Sequence, residues 1–203
     1  MALSKIQSES MNLADTYAFT GTVSGVQDFV HLSTFAVASG AGTVDIATDS
    51  STYSHFKLFM SDVSPATDST NLLHRVSTDS GSTYISASGS YGYNNFGRRA
   101  SGTFDNEDSN SDTRIKLNVS EAVIGNHNND ALSGELTFIG FDQDRPKIIS
   151  HTTNRNSVNN YAYSYVNGVY FLDGGSTPIT NIRFYWASGN FLQGTFKLFG
   201  IKS

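Results

Sequence analysis

The sequence has no cysteine in its 203 residues, which excludes disulfides and thiolate metal sites and leaves packing or assembly to stabilise the chain. Charge is scarce as well. Only 15 % of residues are charged and 38 % are hydrophobic, both low for a soluble enzyme. There is no basic run; the nearest approach is Arg98-Arg99 in a Gly/Ser-rich loop. With a net charge of −5, the composition argues against a protein that grips nucleic acid by its phosphates. No stretch reaches the roughly 20 apolar residues of a membrane span, so no membrane insertion is expected. The opening MALSKIQSESMNLADTYAF lacks a continuous apolar core and is not read as a signal peptide. Long helical runs rich in Leu, Ala, Glu and Lys are also missing.

What is present is Ser, Thr, Asn and Gly, with 14 Phe and 10 Tyr, a mixture that favours strands and turns. Apolar residues alternate with period two in many short runs. Leu32, Thr34, Ala36 and Ala38 oppose Phe35 and Val37. Phe56, Leu58 and Met60 share one face, with Tyr53, His55, Lys57 and Phe59 on the other. Further strands are predicted at NLLHRVS, STYISAS, TRIKLNVS (Ile115, Leu117 and Val119 on one face), KIISHTT, NNYAYSYVNGVYF and the C-terminal segment. About ten strands without a crossover helix predict an all-β, antiparallel β-sandwich. Connections such as Gly89 to Asp112, too long for simple hairpins, favour a jelly roll over an up-and-down barrel. One domain over residues 21–203 follows, with residues 1–20 as an N-terminal attachment arm. There Met11, Leu13, Tyr17 and Phe19 are placed to bury against a neighbouring chain.

One strand is written twice. LSGELTFIGF (Leu132 to Phe141) aligns without a gap to LQGTFKLFGI (Leu192 to Ile201). The repeat predicts related positions in the sandwich, with glycines marking bends or close neighbours. Leu192, Phe196 and Leu198 share the core parity, while Phe199 and Ile201 leave the other face apolar, as Ile139 and Phe141 do in the first copy. Little chain follows to cover that patch, so Phe199 and Ile201 are expected at a subunit contact. Closed symmetry then makes a homotrimer a natural assembly.

Chemistry-bearing patterns are sparse. His31, His55, His74, His127 and His151 show no i, i+2 or i, i+4 metal spacing, and each is expected to be solvated or locally hydrogen-bonded. Asp79-Ser80-Gly81 reads as an Asx-type turn. The acidic stretch DNEDSNSD (Asp105 to Asp112) offers alternating oxygens that would suit Ca²⁺, yet lacks the grammar of a known calcium loop, so a flexible solvated loop is expected and no metal site is assigned. No nucleophile elbow, phosphate loop or dinucleotide fingerprint occurs, so neither a catalytic residue nor a cofactor is assigned. Tyr161, Tyr163 and Tyr165 alternate along one strand, and Tyr91 and Tyr93 repeat the pattern. Large amphipathic rings of this kind suit a core edge, a subunit contact or a sugar-stacking platform.

Three segments carry a resemblance: MALSKIQSESMNLADTYAFTGTVSG, FMSDVSPATDSTNLLHRVSTDSGSTY and ITNIRFYWASGNFLQGTFKLFGIK. Together they cover a little over a third of the chain and resemble small virion proteins of tailed bacteriophages, especially marine ones; Asn94 to Arg155 carries no part of it. The resemblance implies a non-enzymatic structural protein on the exposed surface of the phage particle, assembled with other virion proteins. Phage jelly rolls serve both as tail-fibre receptor-binding tips and as capsid decoration, usually as trimers, which is an analogy of fold. The first role would make a host-surface polysaccharide the partner; the second would rest on subunit contacts alone.

Overall fold

The computed structural model describes residues 29–98, 102–119, 123–127, 130–142, 147–156, 160–170 and 177–202, with backbone only at 98 and 147–170. Met11, Leu13, Tyr17 and Phe19 therefore lie outside the described residues. Among the described residues every element is a strand, and twelve strands form two antiparallel sheets. The chain is an all-β sandwich. One sheet has eight strands in the order β1 (Phe29–Ala36), β12 (Phe191–Ile201), β3 (His55–Pro65), β8 (Ala131–Ile139), β9 (Lys147–Asn156), β10 (Asn160–Tyr170), β5 (Tyr91–Arg98) and β6 (Phe104–Asp112). The other has four, in the order β2 (Val44–Ala47), β11 (Asn181–Trp186), β4 (Leu72–Ser77) and β7 (Ile115–Lys116). Two hairpins, β5–β6 and β9–β10, extend the larger sheet. The other eight strands pair in a nested series, β1 with β12, β2 with β11, β3 with β8 and β4 with β7.

The sheets meet through their inner rows. Phe56, Leu58, Leu136, Phe138, Phe196 and Leu198 from the larger sheet face Ile46, Leu72, Val76, Ile182, Phe184 and Trp186 from the smaller, all buried in one cluster. Phe184 and Phe196 touch across the gap with ring centroids 5.0 Å apart. Ile115 and Leu117 join the core cluster as their alternation predicts; Val119, beyond the end of β7, is buried but is not part of that cluster, and Asn118 beside it is buried too. His74 contradicts its expectation. It is fully buried between the Phe138 and Phe184 rings, and neither ring nitrogen has a hydrogen-bond partner. Desolvation holds its imidazole neutral, at a pKa of about 3 against an ordinary 6.5.

Three neighbouring strands break their own alternation at bulges. The β1–β12 register shifts between His31 and Ser33, so Val30 and Leu32 pack on the core before the shift and Phe35 and Val37 after it. Leu32 therefore leaves the parity of Thr34 and Ala36. On β3 the shift falls between Met60 and Val63, where Asp62 has φ +51°. On β12 it falls around Gln193 and Gly194, and Gly194 has φ +147°. There Phe191 is buried and Leu192 only half-buried, the reverse of the expected parity. An inserted residue flips every side chain beyond it. Tyr53, expected beside His55 and Lys57, instead lies in the turn before β3 and packs into the core against Phe56.

Two connections were misplaced by their composition. STYISAS forms no strand; it crosses the sandwich as an irregular segment fixed by the Ile85 N–H donating to the Val76 carbonyl. Gly89 to Asp112, expected to be a long connection, is largely the β5–β6 hairpin, and DNEDSNSD is strand rather than loop. Its strand has no apolar alternation because it is the edge of the sheet, where acidic side chains oppose pairing with another chain. A turn forms at Asp79, but not as an Asx turn: the Gly81 N–H donates to Ser77 Oγ, while the Asp79 carboxylate accepts from Ser77 Oγ, Thr83 N and Thr83 Oγ1, bonds that hold its pKa down to about 2.

The two copies of the repeated strand flank β3, one on each side, with Leu58 opposite both Leu136 and Leu198. They run parallel to each other and are offset by two residues, since Leu198 aligns in sequence with Phe138. Their last glycines act differently. Gly140 has φ +73° and turns Phe141 into the core, where it is fully buried. Gly200 stays in the ladder, paired with Val30 and Phe56, and the Tyr53 ring lies against it, 2.6 Å from where a Cβ would stand. Ile201 thus remains on the outer face, so the expectation that both copies end apolar on two sides holds for the second only.

Candidate functional site

The outer face of the larger sheet carries an aromatic cluster at its β1–β12–β3 end. Residues directly opposite in an antiparallel pair share a face. Here the pairs are Phe29 with Ile201, His31 with Phe199, Phe199 with Lys57 and Lys197 with Phe59. Phe199 is the hub. Its ring stacks on Phe29 at 4.6 Å and 5°, and meets His31 at 5.2 Å and Phe59 at 5.6 Å edge-on. These are the offset and T-shaped geometries that aromatic quadrupoles favour.

Charge sits beside the rings. Lys57 Nζ is 5.5 Å from the Phe59 ring centre and 2.9 Å from Glu135 on β8. His31 Nε2 is 2.9 Å from Thr34 Oγ1. Phe29 is 38 % exposed, while Phe199 and Ile201 are half-buried by strands of their own chain. The cover expected from a neighbouring subunit is thus supplied in part by β1 and β3. Among the described residues, what stays open is the outward edge of this aromatic cluster, with a charged rim. Such a surface can stack against the C–H face of a sugar ring or against the apolar side chains of a protein.

The five tyrosines do not form one platform. Tyr91 and Tyr93 are buried in the core. The Tyr91 hydroxyl donates to the Ile85 carbonyl and accepts from Val76 N–H, while the Tyr93 hydroxyl donates to Asp112. Burial and the neighbouring Glu107 and Asp112 carboxylates push the Tyr93 phenol up. Neither ring is free to contact a glycan. Tyr163 pairs with Arg98 and Tyr165 with Phe96 on β5. That is the parity of Phe96, 48 % exposed, and opposite to that of Tyr91 and Tyr93. Tyr161 pairs with Arg155 of β9. The side chains of Tyr161, Tyr163 and Tyr165 lie outside the described residues. Phe96 and Phe104, the latter 76 % exposed, were not singled out in the sequence. Phe96 breaks a run of Asn and Gly, a faint signal that an outward apolar position existed.

Other constellations are structural in their geometry. On the outer face of the smaller sheet, Arg183 makes a two-pronged ion pair with Asp45, through Nε at 2.7 Å and a terminal nitrogen at 2.6 Å, and lies 3.9 Å over the Tyr84 ring. Glu107 of the former acidic loop is paired with Lys116. A pocket of ≈ 200 Å³ beside the β1–β2 connection, lined by Phe35, Val37, Val44 and Asp45, is smaller than the ~300–1,000 Å³ usual for ligand sites. Among the described residues no three of His, Asp and Glu converge as metal ligands, and no helix is long and apolar enough to cross a membrane. Neither a family model, nor a curated protein, nor a solved structure matches the chain.

Proposed function

We propose that the chain is a non-enzymatic surface protein of a tailed phage virion, tail-fibre-like, that binds a host-surface glycan through the Phe29–Phe59–Phe199 platform. The observation that carries this reading is the stack of rings left open on the outer face of a sheet whose inner face already completes the core. The nested pairing supports a jelly-roll reading of the sandwich, because removal of the two hairpins leaves two four-stranded sheets in the order of a double Greek key. The resemblance of the terminal and central segments supplies the virion setting. Wild-type protein on an array of bacterial surface polysaccharides should retain a glycan, and Phe59→Ala with Phe199→Ala should weaken that binding at least tenfold, about 1.4 kcal/mol. Immunogold labelling should place the protein at the tail. Retention of full binding by the double variant ends the platform reading.

Capsid decoration through subunit contacts is the second reading, favoured by one observation: the exposed rings Phe29, Phe96 and Phe104 are phenylalanines, without a hydroxyl for a sugar. In this second reading the assembly is a homotrimer closed through this face, which would cover the platform and leave no glycan site there. Phe199→Asp with Ile201→Asp should then give soluble monomers in sedimentation velocity; a wild type already monomeric at micromolar concentration removes the interface.

A further inference from the structure

We propose that Asp68 and Asp130 hold a Ca²⁺ ion at one end of the sandwich, where the β3–β4 turn meets the segment leading into β8. The two segments are bridged by paired backbone bonds between Thr70 and Ile124, 3.0 and 2.9 Å, and by Asn126 Nδ2 donating to the Ala66 carbonyl. Asp130 is 1 % exposed, and neither of its carboxylate oxygens has a hydrogen-bond partner. A buried carboxylate without donor or counter-charge is costly, and a bound cation is one of the few ways to offset it. None of the ion pairs among the described residues reaches Asp130.

The second carboxylate comes from the other segment. A Cβ on Gly125 would stand 2.2 Å from Asp130 Oδ2 and 3.0 Å from Asp68 Oδ1. The two oxygens therefore lie no farther apart than the sum of those distances. That spacing admits one cation between ligands at about 2.3–2.6 Å, the range for Ca²⁺. Like charges brought this close repel, and no hydrogen bond reaches the Asp130 carboxylate to offset the repulsion. Gly125 has an ordinary φ, so glycine is required there for space: any side chain would displace the Asp130 carboxylate. Two carboxylates suffice as the charged part of the shell, because Ca²⁺ takes backbone carbonyls and water for the rest. Asp68 is exposed and forms the mouth of the site; Asp130 forms its floor. This site is distinct from Asp105 to Asp112, whose carboxylates lie along an edge strand.

Calorimetric titration of EDTA-stripped full-length protein with CaCl₂ should give one site per chain, with a Kd of about 10⁻⁴–10⁻³ M, the class of weak extracellular sites. The melting temperature should rise in 10 mM CaCl₂ and not in the same concentration of NaCl. Asp68→Asn and Asp130→Asn should each weaken Ca²⁺ binding at least tenfold, while Asp49→Asn, in a distant turn, should not. If Asp130→Asn does not fold, Asp68→Asn decides, since its side chain is exposed. Absence of heat and of a melting shift overturns the site, as does binding that survives Asp68→Asn unchanged. Higher stability of Asp130→Asn with no Ca²⁺ response would show an uncompensated buried charge and nothing more.

Discussion

Phe196→Ala should lower the unfolding free energy by about 3–5 kcal/mol, a large part of the ~5–15 kcal/mol that holds a domain together. Phe196 is fully buried on β12 and touches Phe184 of the opposite sheet and Phe191 of its own strand. Truncation removes the ring that joins the two layers and leaves a cavity that two hydrogen-bonded sheets cannot close by moving together. Equilibrium urea unfolding measures the loss directly. Phe104→Ala is the matched control: the same chemical change at a ring that is 76 % exposed should stay within about 0.5 kcal/mol. Equal losses at the two positions would mean that the sheets do not meet through Phe196.

Acid should destabilise the protein more steeply than it destabilises His74→Leu. The folded imidazole titrates near 3 and an unfolded one near 6.5, so between those values the unfolded chain binds the extra proton. The contribution is complete above pH 6.5 and is lost progressively as pH falls towards 3, by about 1.4 kcal/mol per unit. Leucine keeps the apolar contacts with Phe138 and Phe184 and has nothing to protonate. In unfolding curves at pH 7.5, 5.5 and 4.5 the wild type should therefore lose about 2–3 kcal/mol more than the variant between pH 6.5 and 4.5, whichever of the two is the more stable at pH 7.5. Parallel pH dependences would place His74 in contact with water or a hydrogen-bond partner.

Both effects arise from positions that the sequence describes unequally. Phe196 sits in a run of alternating apolar residues, and its burial follows from period two alone. His74 also alternates with Leu72 and Val76, so its face was legible. Its lack of any partner was not, because that depends on Phe138 and Phe184, which are distant in sequence.

The sequence by itself determined the all-β class, the core parity of Phe56, Leu58, Met60, Ile115 and Leu117, the existence of a turn at Asp79 and the kinship of the two repeated strands. These are local properties: alternation, turn chemistry and repetition are set within a few residues. Tertiary structure decided where alternation breaks. The bulges at His31/Ser33, Met60/Val63 and Gln193/Gly194 arise where three neighbouring strands adjust to one another, and no one of them reports the shift alone. It also decided which aromatic residues are free. Tyr91 and Phe96 alternate in one strand with similar neighbours, yet one is sealed in the core and the other half exposed. The platform around Phe199 and the approach of Asp68 to Asp130 join residues 60 to 170 positions apart along the chain, roughly, and loop closure on that scale is specified by the whole fold rather than by any segment. Side-chain chemistry was readable from the sequence; proximity was created by the packing of two sheets.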